Sequence, residues 1–222
     1  MTGHLRRKLP YENQEQMYAT FRDNLEPVIA KQKLKAVLFQ YPPWFDCTKA
    51  NVNVLRETKE RMRGIPCALE FRNRSWFEPQ IIDKTLAFME EQQWIHSICD
   101  EPQAGVGSVP TILHPTHPDF TMIRMHGRHA AGWNQGSASN WRDVRYLYDY
   151  NNEELTEWKK NIESLQSNTK DICVIFNNNS GGHAAANAAQ LMQLLGIPTS
   201  NGPQYKQDRQ VEQIPEQLDL FD

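Results

Sequence analysis

No stretch of the chain approaches the roughly 18 consecutive apolar residues that a bilayer-spanning helix needs, and no charged, apolar and small-residue signal pattern opens it. A soluble, cytoplasmic protein with no membrane partner is the expectation. Cysteine is scarce: Cys47, Cys67, Cys99 and Cys173 lie far apart and form no Cys-x-x-Cys pair. That spacing argues against a clustered zinc site and a secreted disulfide framework, and buried reduced thiols are the expectation. Basic charge is not in surplus either. A formal net charge of −3 argues against a protein that coats nucleic acid by bulk charge, while leaving a local basic cleft open.

What is present is enough core. With 222 residues, 39% of them apolar, the chain can fold as one large domain or two small ones. Apolar positions Met17, Phe21, Leu25 and Val28 recur at helical spacing and predict a helix capped by Asn13. Short apolar runs over residues 35–40, 67–69, 94–99, 121–125 and 172–176 predict five strands. Between and after them, helical patterns occupy 51–63, 81–91, 153–165 and 183–195. Strands alternating with helices, without hairpin signals, require an α/β fold with a parallel sheet and outer helices. Every predicted strand ends in polar residues on the same topological side, where parallel α/β folds bind ligands. Five strands are too few to close an eight-stranded barrel, so an open sheet or a missing beginning is expected. A domain over 1–202 is followed by a polar tail over 203–222 that ends in three large apolar residues, Leu218, Leu220 and Phe221.

Two groups of residues could carry chemistry. Glu70, Asp100 and His126, with His183, stand at four strand ends and could serve as acid and base or hold a divalent metal. The structural alternative pairs Glu70 with Arg72 or Arg124 in a buried network and satisfies His126 with a backbone carbonyl. The second group is Asn177-Asn178-Asn179-Ser180-Gly181-Gly182-His183, where consecutive glycines before a helix permit close approach of an anion. Asparagines that cap the helix and glycines that merely turn the chain are the plainer reading. Arg72, Arg74, Arg124, Arg128, Arg142 and Arg145, interleaved with Trp44, Trp76, Trp133 and Trp141, suit phosphates and stacked bases, or ordinary packing under a loop. Arg72, Asn73, Trp76 and Arg128 join Asn177, Asn178, Gly181, Gly182 and His183 as candidate ligand contacts.

At Leu69-Glu70-Phe71-Arg72-Asn73-Arg74-Ser75-Trp76-Phe77 the chain resembles the YecE-like family, domain of unknown function 72. The resemblance continues through Leu38-Phe39-Gln40-Tyr41-Pro42-Pro43, Cys99-Asp100-Glu101-Pro102, Arg124-Met125-His126-Gly127-Arg128, and Phe176-Asn177-Asn178-Asn179 with Gly182-His183-Ala184 and Asn187. It covers residues 34–196. It implies a TIM-barrel-like fold and, by the family's name, no established activity. Family members begin with further strands whose Gly-x-x-Gly-Trp-like segment is absent here. The expectation is therefore an N-terminally truncated member, its five strands corresponding to the family's strands four to eight.

The tail gives a second resemblance. Gln217-Leu218-Asp219-Leu220-Phe221 is similar to the pentapeptide with which bacterial replication and repair proteins bind the sliding clamp. Together these features point to a strand-end site for a phosphate-containing ligand, with a DNA-processing enzyme of hydrolase or endonuclease type, tethered to the clamp, as one version. A non-catalytic binding module is the other.

Overall fold

The computed structural model describes residues 11–133 and 144–198. Helix α1 (Gln14–Ala30) leads to β1 (Val37–Gln40), α2 (Lys49–Arg61), β2 (Cys67–Glu70), a single 3-10 turn (Arg74–Phe77) and α3 (Ile82–Glu91). Then follow β3 (Ile95–Asp100), β4 (Phe120–Met125), a short α4 (Ala130–Trp133), α5 (Asn152–Leu165), β5 (Asp171–Phe176) and α6 (His183–Leu194). The strands lie where the apolar runs place them. Helix starts are fixed by local side chains: Asn13 accepts from the Gln16 amide, Thr48 from the Asn51 amide, and Asn151 forms a reciprocal capping box with Glu154.

All five strands are parallel, in the order β1-β2-β3-β4-β5. Side chains alternate between two faces. Outward, Phe39, Cys67 and Leu69 pack with Leu55 and Met62 from the α2 region and Met89 of α3. Ile98, Ile123 and Met125 pack against Leu155, Trp158 and Ile162 of α5 and Leu191 of α6. Inward, Ala68, Ile95, Phe120 and Met122 form a smaller apolar layer with Leu38 and Cys173. Toward the strand ends, inward positions of β1, β2 and β4 carry Gln40, Glu70 and Arg124, with Arg124 bonding to both of the others.

The sheet curls in the manner of a TIM barrel. Four gaps of ~4.8 Å would hold the edges of a flat five-stranded sheet about 19 Å apart, yet Lys35 before β1 and Asp171 of β5 join by an ion pair of 2.8 Å. Arg124 of β4 likewise reaches Gln40 Oε1 of β1 at 3.1 Å.

The α1 face differs from expectation. Tyr18, Leu25 and Ile29 pack on the core, whereas Phe21 and Val28 are 39% and 40% exposed. The helix is rotated because polar groups also dock it: the Tyr18 hydroxyl meets Thr58, and Arg22 donates to the carbonyls of Arg61 and Arg63. All four cysteines are free thiols, Cys67 and Cys99 buried. No helix among the described residues is long and apolar enough to cross a membrane.

Candidate functional site

At the end of β2, Glu70 is fully buried on the inner face. Its carboxylate gathers groups from the next two strands in the sheet, β3 and β4, and from the residue two positions on. Arg72 Nε lies 3.0 Å from Oε1, Ser97 Oγ of β3 donates to Oε2 at 3.0 Å, and Arg124 Nη1 of β4 reaches both oxygens at 2.9 and 2.8 Å. Arg72 also pairs with Glu101 just beyond β3, whose Oε1 accepts the Val109 amide at 2.6 Å. The period of two explains the assembly: Glu70 and Arg72, Cys99 and Glu101, and Arg124 and His126 each fall on the same face of their strand.

His126 completes the cluster. Its amide donates to the Asp100 carbonyl at 2.8 Å, which fixes the backbone but leaves the ring free. The ring is buried, and neither nitrogen has a hydrogen-bond partner. Nε2 stands 3.6 Å from Glu70 Oε1, too far for a hydrogen bond. The Trp133 and Tyr146 rings lie 6.4 and 6.2 Å away.

Electrostatics separate the roles of these groups. Burial pushes the Glu70 carboxyl up, but the guanidiniums of Arg72 and Arg124 beside it outweigh that and hold the group well below the usual carboxylate range. Burial lowers His126 to about 4, with Arg72 and Arg124 adding to the effect and Glu70 opposing it, so the ring is neutral at neutral pH. Glu101 is pushed by burial up to about 7 against the pull of Arg72.

Above the cluster opens a cavity of about 420 Å³, lined by Gln40, Arg72, Arg124 and His126 together with Tyr146, Asn177, Asn179 and Ser180. Glu70, Cys99 and His126 present ligand atoms within 4.8 Å of one another. A divalent cation fits this set poorly. Both Glu70 oxygens already accept bonds, two guanidiniums stand beside them, and burial and the nearby carboxylates raise the Cys99 thiol well above its ordinary value.

Several sequence-derived candidates lie elsewhere. Asp100 is not at this mouth: in register with Met125 and, through it, Phe176, it faces the helix layer. There its carboxylate accepts from Arg128 Nε at 3.0 Å and Trp158 Nε1 at 3.2 Å. Arg128 accordingly points away from the cavity, toward Asp100 and Glu157. Asn73 caps the 3-10 turn through the Ser75 amide and donates to the Pro43 carbonyl. Trp76 is stacked between Phe71 and Phe45, at 4.2 and 5.7 Å between centroids. Asn178 ties Tyr148 to Asn187. Gly181 and Gly182 turn the chain with φ of +76° and +79°, and His183, which opens α6, lies 3.6 Å from Asp149. Of the candidate ligand contacts, Arg72 and Asn177 line the cavity together with His126. Trp141, Arg142 and the tail residues Gln217, Leu218, Leu220 and Phe221 lie outside the described residues. Sequence reasoning missed Gln40, Tyr146, Ser97, Cys99 and Glu101 as site members; alternation puts Ser97, Cys99 and Glu101 on one face of β3, but a strand buried along its whole length carries no signal of which face turns inward.

A family profile described as "Protein of unknown function DUF72" matches residues 1–211. The chain belongs to the DUF72 family. It is similar to the UPF0759 protein YunF of Bacillus subtilis (strain 168), with 51% identity over 222 residues that span all of this chain and 75% of that protein. Among solved structures, a DUF72 family protein from Enterococcus faecalis V583 aligns with a TM-score of 0.82 and 38% identity, over 86% of this chain and 69% of that one. A DUF72 family protein from Thermotoga maritima MSB8 aligns with a TM-score of 0.73 and 30% identity, over 82% and 65%. The TIM-barrel-like α/β architecture is therefore shared with DUF72 relatives, and none of these relatives' names carries an activity.

Proposed function

We propose that the strand-end cavity binds the phosphate group of its ligand, and that the chain is an enzyme acting on that ligand with His126 as the proton-transfer group. One observation carries this reading: the guanidiniums of Arg72 and Arg124 line the same cavity as a buried imidazole with both nitrogens open. Guanidinium groups hold phosphate oxygens by paired, charge-assisted hydrogen bonds. Glu70 serves differently from a general base. Ionised and bonded on both oxygens, it orients Arg72 and Arg124.

The version in which the phosphate belongs to DNA rests on the tail's resemblance to a clamp-binding peptide. A non-catalytic binding module draws its support from the same saturated Glu70, whose two oxygens are taken up in holding Arg72, Arg124 and Ser97.

Calorimetric titration of inorganic phosphate tests the reading. Wild-type protein should bind with millimolar affinity or better, and Arg124→Gln should weaken binding by about tenfold or more. No binding at tens of millimolar phosphate rejects the site. Turnover of phosphomonoesters or nucleic acid that His126→Gln abolishes supports the enzyme; binding without turnover across that panel supports the module.

A further inference from the structure

The charges beneath the cavity already neutralise one another. Arg124 rests on Glu70, and Arg72 is shared between Glu70 and Glu101. A doubly charged anion entering this space therefore needs positive charge that is not yet engaged. Around the His126 ring stand Glu70 and Arg72 from the end of β2, Cys99 and Glu101 from the end of β3, Arg124 of β4, and Tyr146 from the loop before α5. Arg145, stacked on Trp133 at 3.8 Å, contributes a further guanidinium nearby.

Among these, His126 has open hydrogen-bonding positions. Glu101 does not compete on geometry: one oxygen is held by Arg72 and the other by the Val109 amide. A buried polar side chain with no partner on either nitrogen calls for an explanation, and a ligand oxygen at this place supplies it.

We infer that the anion enters this cavity together with one proton, taken up by His126, so that the preferred ligand is a dianionic phosphomonoester rather than a singly charged diester. The inference rests on the phosphate reading above. The neutral ring that burial and the two arginines maintain becomes an imidazolium when a bound ligand's charge offsets theirs. Binding and protonation are then linked: whatever raises the ring's proton affinity is raised by the proton in turn. In an enzyme, that proton stands ready for the bridging oxygen of the phosphoester.

Inorganic sulfate is the suitable probe, since it remains a dianion across the working range, with methyl sulfate as its singly charged counterpart. Sulfate affinity should fall by up to about tenfold per unit between roughly pH 6 and pH 8 in wild-type protein, the slope expected for one linked proton. Methyl sulfate should bind more weakly and without that slope. His126→Gln should bind sulfate with a flat profile, while Glu101→Gln should retain the slope. Sulfate binding that is flat in wild-type protein, or a slope that survives in His126→Gln, overturns the proton coupling and leaves the anion site standing. Equal slopes for sulfate and methyl sulfate overturn the preference for a dianion. Failure of both sulfate and phosphate to bind overturns the anion reading and this inference with it.

Discussion

Glu70 and Asp100 terminate neighbouring parallel strands, yet their carboxylates lie on opposite faces of the sheet, one under the cavity and one against α5. The two carboxylates therefore have different tasks. Removing the Glu70 charge by Glu70→Gln leaves Arg72 and Arg124 facing each other without their shared counter-ion. Breaking a buried ion pair from one side costs about 3–5 kcal/mol, and urea denaturation should show a loss near that range. A change below about 1 kcal/mol would mean that the arginines do not depend on Glu70.

Asp100→Asn should behave otherwise. The amide can still accept one hydrogen bond from Trp158 or Arg128, so the expected loss is roughly 1–3 kcal/mol. Phosphate affinity should stay within about twofold of wild type, since no Asp100 side-chain atom faces the cavity. Denaturation and phosphate titration on the same variant separate the two effects. Loss of phosphate binding in a folded Asp100→Asn protein would return this residue to the site.

The fold was legible because the apolar runs are short, bounded by prolines and polar residues, and alternate with helical periods. The site was less so. In Cys99-Asp100-Glu101 two carboxylates are adjacent, and alternation sends them to opposite faces. Which one turns inward depends on register, set here by Cys99 pairing with Arg124. Strand β3 is buried along its whole length, so no pattern of polarity along it reveals the inner face. Arg124 sits between Ile123 and Met125 within an apolar strand, and its partner Glu70 is 54 residues away in sequence. Local sequence offers Glu70 both Arg72 and Arg124 as partners and holds nothing that chooses between them; the structure gives it both.

Stability should have a pH optimum near neutrality. Burial lowers both His96 and His126 to about 4, so each contributes stability that is complete above the unfolded value near 6.5 and lost as pH falls through 4. Each ring is worth on the order of 3 kcal/mol across that window. Glu101, raised to about 7, works in the opposite sense: its contribution is complete below the unfolded value near 4.3 and declines as pH rises through 7. Unfolding free energy should therefore rise from about pH 4.5 to 6.5 with a net slope of roughly one proton. Glu101→Gln should steepen that rise and His126→Gln flatten it. Equal slopes in all three proteins would show that these groups titrate alike in the folded and unfolded chain.

The tail proposal makes a separate prediction. A labelled peptide of the last ten residues should bind a bacterial sliding clamp in a fluorescence titration, because Leu218, Leu220 and Phe221 each offer roughly 1.5–3 kcal/mol of apolar burial before ordering costs. Leu218→Ala and Phe221→Ala should abolish binding. Absence of binding at high micromolar clamp removes the tether from the proposed function.

Gly127 joins the fold to the cavity. It follows His126 directly, has a φ of +88°, and a Cβ placed on it would lie 2.6 Å from Tyr148 Cβ. Its amide donates to the Tyr150 hydroxyl at 2.9 Å, so the backbone cannot move aside without breaking a buried bond. The left-handed backbone alone costs a side chain roughly 1–2 kcal/mol, and the contact with Tyr148 adds to it. Gly127→Ala should therefore destabilise the protein by more than about 2 kcal/mol. Where it remains folded, His126 should be displaced with its backbone. Sulfate affinity should then fall and lose its pH dependence together, whereas Arg124→Gln should lower affinity while retaining the dependence. A Gly127→Ala protein that is as stable as wild type and binds sulfate with an unchanged pH profile would show that the His126 ring is positioned independently of this turn.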